Sequence, residues 1–295
     1  MVIDGVFSGG GIKGFAFIGA LQVLEEEGIQ FERVAGTSAG AIVATFIAAG
    51  FNAKEIEEMF EELDLRTLLD PPKTVFGFPF LKWINLYRHS GLYRGRLLEN
   101  WFSNKLASKN IYTFADLPND SLKLVASDLT NGQIIVLPND LSKYGLDGNH
   151  FPVSRALRMS CGLPFFFEPV YLKNRHRKSV IVDGGVLSNF PLWIFDTEFQ
   201  KRPIIGLKLS SNNEEMEPHE IDNAIQLFEA LFSTMKDAHD KRYIARQHAR
   251  NIIFIPADKF SSTTQFSINE DTRQELIKIG RERTKAFLKN WSRIW

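Results

Sequence analysis

The apolar positions of this chain fall in short β-branched runs separated by segments of helical periodicity, the alternation expected of parallel strands joined by crossover helices. Val2 to Phe7 reads as a first strand, and Phe15 to Glu27 as a helix closed by Gly28, with Phe17, Leu21 and Leu24 on one face. Phe31 to Ala35 predicts a second strand, followed by a buried helix from Ala41 to Ala49 that ends at Gly50. Further strands are predicted at Leu122 to Ser127, Gln133 to Leu137, Ser179 to Val182, Ile204 to Leu209 and Ile252 to Ile255. Asp222 to Arg250 keeps the 3.6-residue pattern with Leu227, Leu231 and Met235 in register, and its length predicts a kink or two helices. Ser267 and Glu270 form a capping box for a terminal helix that runs to about Asn290. The expectation is one α/β domain over residues 1–295, with a mostly parallel central sheet, helices on both faces and a helical C-terminal part from about residue 222.

Residues 70–101 break the pattern. Phe76, Phe78, Phe80, Trp83, Tyr87, Tyr93 and Trp101 are interleaved with Pro71, Pro72, Pro79 and basic residues, without sheet-like alternation. Such a stretch predicts an insertion with its own small core, a cap over a site, or a face that meets lipid through amphipathic rings. A second window, Val34 to Ala53, carries no charge, but it is rich in Ala, Gly, Ser and Thr and too weakly apolar for a membrane span.

Composition narrows the function classes. The 35 basic residues balance 35 acidic ones, so no net positive field gathers phosphates, and no nucleic-acid partner is expected. The single cysteine, Cys161, has no partner for an internal disulfide, and no Cys/His cluster has zinc spacing, so neither metal nor cofactor is expected. Met1 to Phe7 carries an acid where a signal peptide would carry Lys or Arg, which predicts a cytoplasmic location, compatible with a peripheral membrane surface. With 25 Phe among its residues the chain has material for a large apolar surface or an apolar ligand.

Gly36-Thr-Ser38-Ala-Gly40 is G-x-S-x-G between a predicted strand and a predicted helix, the context that motif requires. Glycines permit a sharp strand-to-helix turn, and Ser38 would stand at a helix N-terminus, where the dipole favours negative charge. The alternative is a small-residue turn that only allows close packing. Gly9-Gly10-Gly11-Ile12-Lys13-Gly14 follows the first strand and fits G-x-G-x-x-G. A dinucleotide site would want an acid at the end of the second strand, where Ala35-Gly36-Thr37-Ser38 stands instead. A P-loop would want a lysine where Phe15 stands. Bare glycine amides can instead receive the oxyanion of a tetrahedral intermediate, and a plain tight turn also remains open.

A serine nucleophile needs a base. The six histidines, His89, His150, His176, His219, His239 and His248, sit in no recognisable loop context, although His219, His239 or His248 would respect the chain order of a Ser-acid-His triad. Asp183-Gly184-Gly185 is more suggestive, because the preceding strand delivers a carboxylate at its C-terminal end. An Asx turn or a helix N-cap would explain the same residues.

Together these motifs resemble the patatin-like lipid acyl hydrolases. Gly9 to Gly14 resembles the family's glycine-rich run with a basic residue in fifth place, here Lys13. Ser38 matches its nucleophile and Asp183 its acid. Ser160-Cys-Gly-Leu-Pro164, preceded by Arg158, resembles its S-x-x-x-P segment. The likeness extends from residue 3 to about 195, and the last hundred residues carry no matching motif. The resemblance implies a three-layer α/β sandwich and a Ser38–Asp183 dyad that hydrolyses phospholipids or related lipid esters without a metal, with Gly9, Gly10, Gly11, Lys13 and Gly14 around the oxyanion, Gly36 and Gly40 shaping the elbow, and Gly184, Gly185, Arg158 and Pro164 in support. Acyl transfer to an alcohol, a Ser-His-Asp esterase and a non-catalytic lipid binder are the competing readings. An unperturbed aspartate is a weaker base than histidine by roughly 3.5 kcal/mol, so burial would have to raise the basicity of Asp183.

Overall fold

The computed structural model describes residues 1–62, 67–70, 88–174, 177–196, 202–209, 221–222, 224–243, 249–257, 260 and 269–291. In chain order the elements are β1 (Val2–Phe7), α1 (Phe15–Glu26), β2 (Gln30–Thr37), α2 (Ala39–Ala48), α3 (Ala53–Glu61), β3 (Gly91–Tyr93), α4 (Arg96–Ala107), β4 (Leu122–Asp128), β5 (Gln133–Leu137), α5 (Val153–Ser160), β6 (Phe165–Phe167), β7 (Val170–Asn174), β8 (Arg177–Asp183), β9 (Ile204–Lys208), α6 (Ala224–Tyr243), β10 (Ile252–Phe254) and α7 (Glu270–Trp291). The main sheet runs β10-β9-β1-β2-β4-β8-β7, with β5 on the other edge of β4. β10, β9, β1, β2 and β4 are parallel, while β5 and β8 run antiparallel to β4. Central strands are covered on both faces, so β1, β4 and β9 are runs of buried residues without alternation. The mostly parallel α/β sheet expected from the sequence is therefore the architecture observed.

One irregularity of the sheet places the chemistry. β2 pairs with the first half of β4, and its last residue, Thr37, lies opposite Val125. β8 takes over the same edge from the opposite direction, and its last residue, Asp183, lies opposite Ala126. Two strands thus approach head to head along one edge of β4 and end on adjacent rungs. Ser38 follows the end of one and Asp183 closes the other, so the register alone brings them together.

The charge-free window from Val34 to Ala53 divides into the end of β2 and the buried helix α2. Among the described residues no helix is long and apolar enough to cross a membrane. Of the aromatic insertion, Phe76, Phe78, Phe80, Trp83 and Tyr87 lie outside the described residues, as do Pro71, Pro72 and Pro79. Trp101 belongs to α4 and packs, partly buried, against the main core, on Phe46 at 6.0 Å and Phe102 at 5.6 Å. Tyr93 stacks obliquely on Phe166 at 4.8 Å.

Two expectations for the C-terminal part change. Leu227, Leu231 and Met235 do share a face of α6, but that face points outward, with 48%, 56% and 40% of their surface exposed. The inward face carries Phe232, Lys236 and Asp240 instead, because Phe228 and Phe232 seal a small aromatic cluster over Val182 and Val186. The terminal helix α7 is capped by Asn269, whose side chain accepts the Thr272 N–H at 2.9 Å, whereas Ser267 lies outside the described residues. α7 crosses α1 at backbone contact: a Cβ on Gly280 would stand 1.9 Å from the Ala16 carbonyl oxygen, and one on Gly19 1.9 Å from that of Ile277.

Candidate active site

The turn from β2 into α2 holds Ser38 at φ 53°, ψ −122°, a region that non-glycine residues seldom occupy. Close approach explains the flanking glycines. A Cβ on Gly36 would lie 2.3 Å from the Gly40 carbonyl oxygen, and one on Gly40 2.3 Å from that of Phe7. The Ser38 hydroxyl does not cap α2, which leaves it available for chemistry. Its peptide is gripped on both sides by the end of α5. The Ser38 N–H donates to Ser160 Oγ at 3.2 Å, Ser160 in turn donates to the Val125 carbonyl at 2.6 Å, and Cys161 Sγ donates to the Ser38 carbonyl at 3.3 Å. Burial, reinforced by the Asp183 charge, pushes the Cys161 thiol well up, so it stays protonated and able to donate.

Asp183 is buried at the end of β8. Burial is the main influence on its carboxyl and raises it to about 6, against the pull of hydrogen bonds from the Gly185 N–H and the Ser38 side chain and of the Lys236 charge. The Gly185 amide donates to Asp183 Oδ1 at 2.7 Å, which fixes the carboxylate's orientation. Gly184 lies against β4, where a Cβ would stand 2.3 Å from the Val125 carbonyl oxygen.

The glycine loop leaves β1 beside the elbow, with Ser8 N–H bonded to the Leu207 carbonyl at 3.0 Å. Gly9 does not offer its amide to a substrate, because that N–H donates to the Asn189 carbonyl at 3.0 Å. Its bare Cα serves close approach: a Cβ there would come within 2.4 Å of Asn189 Oδ1 and 3.3 Å of the Ser38 Cβ. Among the described residues the Gly10 and Gly11 amides meet no acceptor, and the turn Gly11–Gly14 that follows is closed by the Lys13 N–H on the Gly10 carbonyl at 3.3 Å. Gly14 packs at the mouth of α2, where an added Cβ would stand 3.3 Å from the Ala39 Cβ.

A family model for patatin-like phospholipase matches residues 5–196. The chain belongs to the patatin-like phospholipase family. It is 51% identical to the uncharacterized protein YqhO of Bacillus subtilis over 99% of this chain and 100% of that one. It is 26% identical to a cUMP-AMP-activated phospholipase of Escherichia coli over 62% of this chain and 54% of the relative. Among solved structures, VipD from Legionella pneumophila superposes with a TM-score of 0.58 at 18% identity, over 97% of this chain and 66% of VipD. The patatin-like fold and membership of a family of lipid hydrolases follow.

Within this patatin-like chain the motif residues divide into two groups. Ser38 and Asp183 interact directly, and the glycine loop reaches the elbow through Gly9, where an added Cβ would stand 3.3 Å from the Ser38 Cβ. Arg158 does not reach them: buried, its guanidinium donates to the carbonyls of Gly95, Arg94 and Glu168 at 3.1, 3.0 and 2.6 Å and lies over the Phe167 ring at 4.8 Å. It ties the loop before α4 to the loop after β6, and burial pushes it down to about 10. Pro164 sits in the turn closed by the Phe166 and Phe167 amides on the Leu163 carbonyl. His150 and His89 are exposed and pair with Asp147 and Glu168 rather than with Asp183. His176, His219 and His248, and the side chain of His239, lie outside the described residues. Among the described residues no three His, Cys, Asp or Glu side chains converge on a metal position. Sequence reasoning missed the bracing roles of Ser160 and Cys161, and missed Asn189, Lys208 and Asp240 altogether. A charged residue inside the apolar strand Ile204–Leu209 was the available signal for Lys208.

Proposed function

We propose that this protein is a serine lipid acyl hydrolase, of phospholipase A or lysophospholipase type, working through a Ser38–Asp183 dyad. The observation that carries the reading is geometric: β2 and β8 end on adjacent rungs of β4, so Ser38 on its strained elbow stands beside the buried carboxyl of Asp183, which burial raises to about 6. An unperturbed imidazole stands near 6.5, so burial removes most of the deficit that would otherwise disqualify aspartate as a base. Ser38 Oγ attacks the ester carbonyl as its proton passes to Asp183. Charge develops on the former carbonyl oxygen, and the free Gly10 and Gly11 amides, with Lys13 and the α2 dipole nearby, stabilise it. Collapse breaks the ester C–O bond, and the leaving alkoxide takes the proton from Asp183. Water then repeats the sequence on the acyl-enzyme, giving up its proton to the same carboxylate and releasing the fatty acid and Ser38.

A phospholipid or another lipid ester presented at a membrane surface is the substrate this reading favours. The test pairs a fluorophosphonate probe with a soluble ester. Ser38→Ala abolishes both labelling and turnover, and Asp183→Asn lowers turnover by about 10²- to 10⁴-fold, the usual worth of a positioned base. Replacing His239 and His248 with Ala leaves most of the activity. Loss on a histidine substitution instead would install a triad in place of the dyad. Mass spectrometry of products from a mixed lipid extract identifies the head group and the acyl position cleaved.

A further inference from the structure

α6 lies beyond the stretch matched by the family model, yet its inward stripe closes one side of the site. Phe232, Lys236 and Asp240 recur every four residues and therefore share a face. The Phe232 ring packs over Gly185, with its Cζ 3.3 Å from the position a Cβ would take, and Lys236 lies over that ring at 5.0 Å. Asp240, one turn further on, is buried, and a carboxylate at that depth needs a counter-charge. Lys208, equally buried at the end of β9, supplies it through a direct ion pair with Asp240 Oδ2.

A buried pair of this kind is poorly explained by stability alone, because desolvation offsets much of the attraction and apolar residues of similar volume often serve as well. The same Oδ2 also accepts the Asn189 side-chain amide at 3.3 Å. Asn189 is buried, its carbonyl holds the Gly9 N–H at 3.0 Å, and its Oδ1 fills the space beside the Gly9 Cα. A continuous line of contacts therefore runs from Lys208 through Asp240 and Asn189 to Gly9. It ends one residue before the unengaged amides of Gly10 and Gly11.

We infer that Asp240, charge-balanced by Lys208, is a positioning residue for acyl transfer: through Asn189 it fixes the Gly9 peptide and so aims the Gly10 and Gly11 amides at the oxyanion formed on Ser38 attack. The inference rests on the dyad reading, and the experiment separates the two. The double substitution Lys208→Met with Asp240→Leu removes both charges together and leaves neither stranded, while Asn189→Ala cuts the line without disturbing the ion pair. Steady-state kcat and KM on a soluble ester are measured for each, with the melting temperature alongside and Ser38→Ala as the control. Both variants fold, kcat falls by about 10- to 100-fold, and KM changes by less than about 3-fold, since an oxyanion donor acts in the transition state and its complete loss costs about 10²- to 10³-fold. Wild-type kcat in a folded variant overturns the inference, and so does loss of folding in both variants, which would make the line a structural support. Turnover that survives in Ser38→Ala sinks the dyad reading instead.

Discussion

Burying a carboxylate disfavours its charge, and at Asp183 that penalty becomes basicity. The consequences for activity and stability have opposite signs. Ionised Asp183 is the reactive form, so kcat/KM rises with pH along an acid limb near pH 6. The unfolded carboxyl titrates near its ordinary 3.8 and the folded one at about 6, so the folded state holds the extra proton between these values. Its stabilising contribution is fully present below pH 3.8, is lost as pH rises through 6, and amounts to about 3 kcal/mol. Asp183→Asn carries no such charge. Its unfolding free energy relative to wild type increases between pH 4 and pH 8 by up to that amount, while its turnover stays low at both; denaturant titrations at both pH values measure the difference, and a constant gap contradicts the buried acid. Ser38 and Asp183 were legible because motifs that strain the backbone need glycines in fixed places. Ser160 and Cys161 were not, since a hydroxyl and a thiol that grip a peptide leave no spacing rule behind. Gly9 was legible as part of the loop but misassigned as a donor, because only the fold shows the Asn189 carbonyl on its amide.

At the scale of elements, strands buried on both faces gave the clearest signal, and the predicted β1, β2, β4, β5, β8, β9 and β10 all appear within a few residues of their expected ends. β3, β6 and β7 were not anticipated. β3 and β6 pair only with each other, three residues apiece, and β7 is the outer partner of β8, with Lys173 and Lys178 in its register. Short or edge strands carry little apolar pattern to read. α6 shows the reverse difficulty. Periodicity found a helix with an apolar stripe, but the buried stripe is a different one, Phe228 and Phe232 followed by Lys236 and Asp240, and aromatic volume rather than aliphatic regularity chose it. Two substitutions separate these faces. Phe232→Ala removes a buried ring that packs on Phe228 at 5.8 Å and over Gly185, and it lowers unfolding free energy by about 3 kcal/mol or more. Leu231→Gln, on the outward stripe, shifts it by no more than about 0.5 kcal/mol. Equal losses in chemical denaturation would mean that the outward stripe is covered.

On the scale of the whole molecule, the motifs end near residue 196, and the remaining chain was readable only as helices of unassigned purpose. What the sequence could not show is that the last helix packs on the first. α1 begins where the turn Gly11–Gly14 ends, so its placement also sets the glycine loop. α7 clamps it through Gly19 and Gly280 at backbone contact, with Leu276 and Ile277 buried in the seam and Arg281 reaching Gln22 and Glu26 at 2.8 Å each. Small residues far apart in sequence give no local pattern, which is why the crossing escaped notice. Gly280→Ala tests it. The added methyl group meets the Ala16 carbonyl oxygen at 1.9 Å, and both partners are backbone, so no side chain can turn aside. The helices must separate, at a cost of about 1 to 3 kcal/mol or somewhat more for overpacking. Helix propensity works the other way, favouring Ala over Gly by about 1 kcal/mol, so a net destabilisation isolates the steric effect. The expected result is a melting temperature lowered by several degrees together with reduced kcat, as the shift of α1 carries the loop with it. A variant more stable than wild type would show that the two helices do not approach at this point.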